Sequence, residues 1–283
     1  MTHYEIHHVN STSGEVTFKG VPYGDFDRTG HWSLWNVSRM YEGARMMLLT
    51  RNLFYYKELV NKKTAFYVIK QTMKLRPEVH RDVTLFSPSM LRFKLDLLNL
   101  GNTSLTLQTK LYINETETYI GTVLVTIVYV NRKSGRPLRI PDWVQDKWKE
   151  YKNKTPPINM KIPPCPENVF STKMETRHSD TDVNGHLNQS NYLQICLDCA
   201  TEAAISGFYK QYSEDMCWYP VLDADVVYKG ECLPGDKLDV VTWQDDTDCN
   251  IIYFIVRNGS KSIFEARFLF DNRKSPSQKN SRM

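Results

Sequence analysis

The 283-residue chain has no apolar segment long enough to cross a bilayer as a helix. Its longest apolar run, from Tyr119 to Val130, has twelve residues, whereas a membrane-spanning helix needs about 20. The first residues have neither the apolar core of a secretory signal nor the Arg-rich, acid-poor character of a transit peptide. We therefore expect a cytoplasmic protein without a membrane span.

The chain also has little excess charge, at +4 with 36 Lys and Arg against 32 Asp and Glu. Residues 272–283 contain Arg273, Lys274, Lys279 and Arg282 and no acidic residue. Without these four cations the rest of the chain carries no net charge. Nucleic-acid binding depends largely on neutralising phosphates, so we predict no nucleic-acid partner. We predict that 272–283 is a disordered basic tail.

The six cysteines are too irregularly spaced in so long a chain to suggest a disulfide framework. Cys196 and Cys199 form a C-x-x-C, but it lies within a helical pattern, and no second pair stands at zinc-ribbon spacing. We interpret both as small core residues and expect neither a metal nor a cofactor.

The segment from Arg177 to Asn188 concentrates groups suited to acyl chemistry. Asp182, Asn184 and His186 stand at i, i+2 and i+4, a spacing that lets an extended segment or turn present all three to one side. A helix-periodic stretch begins soon afterwards, and helix starts offer free N–H groups and a positive dipole end to an oxyanion. This segment is therefore the candidate active site.

An internal repeat runs through the chain at a constant offset of 155 residues. The repeat matches Asp25, Asp27, Gly30, His31 and Asn36 with Asp180, Asp182, Gly185, His186 and Asn191. Near the ends of the two copies, Asn131–Ser134 and Asn272–Ser275 share the sequence Asn-Arg-Lys-Ser. A period of this size indicates a duplicated domain and not a short-repeat solenoid.

Hydrophobic periodicity predicts one helix and about five mostly antiparallel strands in each copy, an α+β fold. In the first copy we predict a helix at 37–53 and strands at 14–21, 64–73, 90–100, 104–113 and 118–130. In the second we predict a helix at 191–205 and strands at 169–177, 218–230, 237–244, 250–257 and 262–271. The predicted division is an N-terminal copy at 1–136, a Pro-rich linker with a short helix at 137–167, a C-terminal copy at 168–271 and the tail.

Two segments of the second copy resemble the acyl–acyl carrier protein thioesterases of plants and bacteria. Arg177 to Tyr192 reads R-H-S-D-T-D-V-N-G-H-L-N-Q-S-N-Y and resembles the family signature D-V-N-x-H-V-N-N-x-x-Y; Tyr228 to Cys232 resembles its Y-R-R-E-C segment. The resemblance covers about 20 to 272. It implies a double hotdog fold, each copy a long helix wrapped by an antiparallel sheet. It also implies a thioesterase of fatty acid biosynthesis. By the same analogy the first copy shapes the acyl-chain pocket, and four of its residues either line that pocket or belong to the core: Met40, Ala44, Met47 and Leu48.

The same resemblance assigns the site residues by position. The family's Asp–Asn–His set falls on Asp182, Asn184 and His186, and its acid falls on Glu231. We expect Glu231, in a partly apolar cleft, to act as general base with His186 on water, Asp182 to orient the imidazole, and Asn184 to hold water or the thioester oxygen. Cys232 is an alternative nucleophile. A cysteine would form a second thioester without a gain in hydrolysability, although transthioesterification stays open.

The first copy lacks part of this set. Arg28-Thr29 replaces Val183-Asn184, and alignment of the turns at Gly101 and Gly235 makes Leu97 the counterpart of Glu231. We therefore expect one working site, with acyl carrier protein, a carrier domain of a synthase or acyl-CoA as the partner, and leave a homodimer open. A catalytically silent acyl-binding protein is the alternative. A hotdog dehydratase is disfavoured because its H-x-x-x-x-G-x-P-x-x-P signature is absent.

Overall fold

The computed structural model describes residues 3–85, 89–154, 160 and 162–275. The strands are β1 Tyr4–Val9, β2 Ser13–Lys19, β3 Thr64–Leu75, β4 Met90–Leu100, β5 Ser104–Ile113, β6 Thr118–Asn131, β7 Phe170–Glu175, β8 Val221–Tyr228, β9 Lys237–Gln244, β10 Ile251–Asn258 and β11 Lys261–Phe270. The helices are α1 Leu34–Leu49, α2 Tyr56–Leu59, α3 Glu78–Arg81, α4 Asp142–Lys147 and α5 Asn191–Ile205. Short 3₁₀ turns cover Tyr23–Asp25, Leu53–Tyr55, Lys149–Tyr151, His178–Asp180 and Met216–Trp218.

The chain forms two compact units. The first consists of Met1–Val21, Met40–Lys74 and Pro88–Asn159, and the second of Pro22–Arg39, Leu75–Ser87 and Met160–Met283. Helix α1 is thus divided between the units after Arg39. Compact units group residues by contact and not by ancestry, so the sequence-based division into copies at 1–136 and 168–271 stays a prediction.

In the first unit the strands are ordered β1-β2-β4-β5-β6-β3, and the neighbours from β1 to β6 pair antiparallel. Alternate residues of β5 are buried along its whole length, because a sheet with one covered face buries every second side chain. The covering element is α1: Tyr41 packs edge-on against Phe93 of β4, with ring centroids 5.1 Å apart. Leu48 approaches Gly14 so closely that a Cβ there would lie 3.0 Å from the leucine side chain.

The second unit repeats this arrangement with the strand order β8-β11-β10-β9-β7, again antiparallel. Helix α5 buries most of its residues, and Cys199 donates to the carbonyl oxygen of Val240 in β9 at 3.4 Å. The helix is followed by Gly207 at φ +78°, the left-handed position that commonly ends helices. The pKa of both Cys196 and Cys199 is raised by burial, as expected of core thiols.

The other face of β9 and β10 is covered as well. Val241, Trp243, Tyr253 and Ile255 form a buried cluster, and Ile162 from the Pro-rich segment packs against it. This is why β10 is buried continuously from Ile252 to Val256, without the alternation of a strand that has one solvated face.

The predicted elements agree closely with the structure. The predicted bounds of β4, β5, β9 and α5 match it to the residue, and the short linker helix appears as α4 followed by a 3₁₀ turn. Strand β1 and helices α2 and α3 were not predicted. The disordered tail was predicted to begin too early, because Ser275 is buried and its N–H donates to the carbonyl oxygen of Trp218 at 2.8 Å. The remainder of that tail lies outside the described residues.

None of the helices in the described ranges combines the length and the apolar character needed to cross a membrane.

Candidate active site

The motif segment forms a tight turn that brings Asp182 and His186 face to face along the backbone. The Asp182 N–H donates to the His186 carbonyl oxygen at 2.9 Å, and the Gly185 N–H donates to the Asp182 carbonyl oxygen at 2.9 Å. A bridge between Thr181 and Leu187 closes the base of the turn. Gly185 has φ +76°, a left-handed conformation that glycine adopts without steric cost.

The side chain of Asp182 acts on this turn and not on the imidazole ring. Its carboxylate accepts the backbone N–H of Asn184 at 2.7 Å and lies 3.4 Å from the Asn184 carboxamide nitrogen. Within the described part of the chain, these are its side-chain contacts, so the expected direct orientation of the His186 ring by Asp182 is not observed. Asp182 influences His186 through the shape of the turn, and Asn184 stays exposed.

Glu231 lies in the loop between β8 and β9, and the structure brings it to His186. Its carboxylate oxygen is 3.6 Å from the imidazole Nε2. The two segments are tied by the Leu187 N–H, which donates to the carbonyl oxygen of Cys232 at 2.9 Å. The side chain of Glu231 is 58% exposed and that of His186 is 29% exposed. Glu231 is therefore open to solvent, and its expected place in a partly apolar cleft is wrong.

Cys232 has the opposite environment. Its side chain is fully buried, and its sulfur lies 3.0 Å from the hydroxyl of Thr176. Burial raises the pKa of the thiol, which lowers the fraction of nucleophilic thiolate. A buried thiol with a raised pKa is a poor nucleophile, and this argues against Cys232 and in favour of Glu231.

A residue that the motif did not indicate, Arg39, binds the segment that follows the turn and, through Asn191, supports the segment before it. Its guanidinium donates to the Ser190 hydroxyl at 3.0 Å and to the side-chain oxygen of Asn191. Asn191 in turn donates to the carbonyl oxygen of Asp180 at 2.7 Å, and Asn188 donates its N–H to the same oxygen at 3.0 Å. The segments before and after the turn are thus joined at the start of α5. The offset of 155 residues pairs Asn36 with Asn191, so the repeat already pointed to the helix turn that also carries Arg39.

The repeated motif around Asp27 and His31 folds into the same turn. The Asp27 N–H donates to the His31 carbonyl oxygen at 2.8 Å, and the Gly30 N–H donates to the Asp27 carbonyl oxygen at 3.0 Å. In this copy Thr29 stands where Asn184 does, and its hydroxyl bonds the Asp27 carboxylate at 2.6 Å and His31 Nδ1 at 2.7 Å. The two backbone turns agree bond for bond, as a duplication predicts.

His31 differs from His186 in its access to solvent. It is fully buried, with ring centroids 5.3 Å from His80 and 5.7 Å from Trp218. The pKa of His80 is lowered to about 3, mainly because the ring is buried and to a smaller extent because of the neighbouring His31. His31 is thus enclosed by two rings and closed to solvent, and the loss of function in the first copy stays a prediction.

Arg28 fixes the first turn in place. Its guanidinium binds both carboxylate oxygens of Asp215 and lies 3.7 Å from Asp198 on α5. The equivalent residue of the second turn, Val183, is fully exposed. The turn that carries His186 therefore lacks the side-chain anchor that the turn carrying His31 has.

The assignment of Leu97 as the counterpart of Glu231 is wrong. Leu97 is buried inside β4, whereas Glu231 follows β8. Because β3 follows α1 and neighbours β6 just as β8 follows α5 and neighbours β11, the counterpart comes after β3. Glu78 stands three residues beyond the end of β3, as Glu231 does beyond β8. Its carboxylate is 3.6 Å from Arg76 and 3.5 Å from Arg81.

One family model matches the part of the chain that contains this site. Residues 176–272 match the family model described as the thioesterase-like superfamily, and this segment contains Asp182, Asn184, His186 and Glu231. A search of curated protein sequences finds no significant match.

Several solved structures share the fold of nearly the whole chain. A putative oleoyl thioesterase from Lactobacillus plantarum has a TM-score of 0.74 at 12% identity, with 94% of this chain and 98% of that one covered. An acyl-ACP thioesterase from Bacteroides thetaiotaomicron has a TM-score of 0.70 at 16% identity, covering 92% and 98%. The 12:0-ACP thioesterase from Umbellularia californica has a TM-score of 0.71 at 13% identity, covering 93% and 94%.

The predicted resemblance is thereby confirmed: the chain has the α+β tandem hotdog fold of these three thioesterase structures, and its residues 176–272 match the model of the thioesterase-like superfamily.

Proposed function

We propose that the protein hydrolyses a thioester and releases a fatty or polyketide-like acyl chain from acyl carrier protein or from coenzyme A. The observation that carries this proposal is the 3.6 Å approach of the Glu231 carboxylate to the His186 imidazole, at a solvent-accessible place in the segment that matches the thioesterase-like model. Two of the similar structures are named as acyl-ACP thioesterases, which makes the carrier-protein thioester the first substrate to test.

In this proposal Glu231 is the general base. Its carboxylate takes a proton from a water molecule, whose oxygen forms a bond to the acyl carbon; the carbon–sulfur bond then breaks and the thiolate leaves with a proton from the His186–Glu231 pair. Positioned acid–base groups of this kind typically contribute about 10²–10⁴ in rate. The exposure of Glu231 supports this role, because the attacking water can reach it directly.

Asp182 and Asn184 have supporting roles in this scheme. Asp182 holds the turn through the Asn184 N–H, and so keeps His186 opposite Glu231. The exposed carboxamide of Asn184 can donate to the thioester oxygen as negative charge develops there. One such donor is typically worth about 10²–10³ in rate.

The test is hydrolysis of a series of acyl chains presented on acyl carrier protein and on coenzyme A. We expect Glu231→Gln and His186→Ala each to lower kcat at least about 100-fold, with circular dichroism unchanged. Glu78→Gln, at the equivalent position of the first copy, is the matched control and should keep wild-type kcat.

Two outcomes would contradict the proposal. A wild-type protein that binds acyl chains but hydrolyses none of the thioesters would instead be the silent acyl-binding protein. Activity retained in Glu231→Gln and lost in Cys232→Ala would transfer the chemistry to the thiol.

A further inference from the structure

Two turns of the first unit carry exposed cations that have no acidic partner. One turn contains Lys62 and Lys63; the other contains Arg132, Lys133 and Arg136. Across the described ranges, no carboxylate lies within ion-pair distance of any of the five. We call these five side chains the basic turn pair. Unpaired like charges repel one another, so placing five of them together destabilises the isolated protein slightly. An anionic partner would relieve this repulsion.

The backbone holds the two turns together. The Arg132 N–H donates to the carbonyl oxygen of Lys63 at 2.9 Å. The Arg132 Nε donates to the carbonyl oxygens of Asn61 and Thr64, each at 3.0 Å. One edge of this guanidinium is therefore used within the protein, and its remaining N–H groups are left for a ligand. The side-chain oxygen of Asn131 accepts the N–H of Lys133 at 3.0 Å, which fixes the second turn further.

The second copy supplies an internal comparison. It repeats the Asn-Arg-Lys-Ser sequence, but there Arg273 is paired with Asp271 at 3.1 Å and Lys274 is paired with Glu214. The same residue types are thus neutralised in one copy and left unpaired in the other. The free charge is a property of the first copy and not of the turn sequence.

An exposed tryptophan lies at the same end of the first unit's sheet. Helix α4 is joined to the turn between β4 and β5 by Gln145, whose carboxamide donates to the Gly101 carbonyl oxygen at 3.2 Å. Trp143 of α4 is 42% exposed, and its ring lies 5.1 Å from that of Tyr55. The ammonium group of Lys147 lies over both rings. Indole rings are enriched where proteins meet the water interface of a bilayer.

We propose that the basic turn pair and Trp143 form a surface that binds anionic lipid bilayers. Cations near such a bilayer gain from its negative surface potential, by a factor of about 5 in partitioning for each charge. Their apolar stems can also lie along the lipid surface while the charged ends stay hydrated. The exposed indole favours a bilayer over a purely charged protein partner, because it adds an apolar group to the same end of the unit. This surface does not depend on the proposed hydrolysis.

The experiment is co-sedimentation of the full chain with vesicles of phosphatidylcholine alone and of phosphatidylcholine mixed with phosphatidylglycerol. We expect binding to the mixed vesicles only, and weaker binding as salt rises, because salt screens exposed charges. The double variant Lys63→Gln/Lys133→Gln should lower the partition coefficient about 25-fold, from two charges at about 5-fold each. Trp143→Ala should lower it further.

The control is Arg273→Gln/Lys274→Gln, which removes two neutralised cations of the second copy that correspond to Arg132 and Lys133 and should leave the partition coefficient unchanged. No preference for anionic vesicles, or an equal loss in the control, would overturn the proposal. Binding to the mixed vesicles that depends on the lysines but not on Trp143 would overturn the part of the proposal that assigns Trp143 to this surface, since the charges alone would then account for the binding.

Discussion

The backbone N–H of Leu187 lies 2.9 Å from the carbonyl oxygen of Cys232 and donates a hydrogen bond to it. Each of these residues directly follows one member of the proposed pair, His186 or Glu231. The approach of the imidazole to the carboxylate is therefore determined by main-chain atoms. Cys232 contributes its carbonyl oxygen to this link, and its thiol lies elsewhere, against Thr176.

The first prediction follows from that separation. Cys232→Ala keeps the main-chain link, so kcat should stay within a few-fold of wild type. Stability should fall by about 1 kcal/mol, because the Thr176 hydroxyl loses its buried partner. Turnover and urea unfolding measure the two effects, with Thr176→Val as the control that removes the same contact from the other side. A 100-fold loss of kcat at unchanged stability would show that the thiol itself reacts.

Arg39 should affect turnover without touching the substrate. Arg39→Met removes the bonds to Ser190 and Asn191 and loosens both ends of the turn that carries His186. Since small displacements of a reacting group can cost up to about 100-fold in rate, we expect kcat to fall by about that much or less, while KM changes little. Arg39→Lys should restore part of the loss. Arg81→Met, which breaks surface ion pairs only, is the control, and an equal fall in kcat there would refute the positioning role.

Substitution of the two left-handed glycines should distinguish an effect on stability from an effect on activity. Gly185 has φ +76° and Gly30 has φ +90°, so alanine at either position should cost about 1–2 kcal/mol of stability. Only Gly185→Ala should also lower kcat, because only its turn presents an accessible histidine. Thermal unfolding and turnover of both variants measure this, and a loss of kcat in Gly30→Ala equal to that in Gly185→Ala would contradict a single working copy.

Burial of His80 predicts a loss of stability in acid. The folded protein holds the pKa of His80 at about 3 against 6.5 for the unfolded chain. Between these values the unfolded state binds more protons, so the free energy of unfolding falls as pH decreases from 6.5 towards 3. At pH 4.5 the effect is on the order of 2 kcal/mol.

Urea unfolding of wild type and His80→Gln at pH 7.5 and 4.5 measures this contribution. Carboxylate titration affects both proteins alike, so the variant should lose less stability over the interval than wild type does. Equal losses would show that His80 does not titrate with a lowered pKa.

Hydrophobic periodicity predicted the elements in which the pattern of apolar residues alone shows which face is buried. Strand β5 alternates apolar and polar residues, and α5 has a helical stripe ended by Gly207; both were predicted to the residue. Strand β1 was missed because it is short, contains two adjacent histidines and has no counterpart among the described residues of the second copy. The sequence spacing of Asp182 and His186 predicted an extended segment or a turn, and the structure has the turn.

The remainder of the site depends on contacts that sequence spacing does not encode. Glu231 was found only through the family resemblance, and Arg39 was missed because its partners lie on another helix. Leu97 was misassigned since the alignment matched turns, whereas equivalence between copies follows strand order. The exposure of Glu231 was also misjudged, because exposure depends on how a loop lies over its neighbours.

The burial of His31 and the ion pairs of Arg28 make the two hotdog copies unequal. Two identical single-hotdog subunits encoded by one gene would carry two equivalent sites, and any change of sequence would alter both. Of the two repeated turns, the one with His186 lies open beside a glutamate and the one with His31 is buried, so the stoichiometry of bound acyl chains at saturation should be one per polypeptide. The closed copy is then free to diverge in sequence as long as it keeps its core, and the open copy can change its substrate preference without a matching change in its twin.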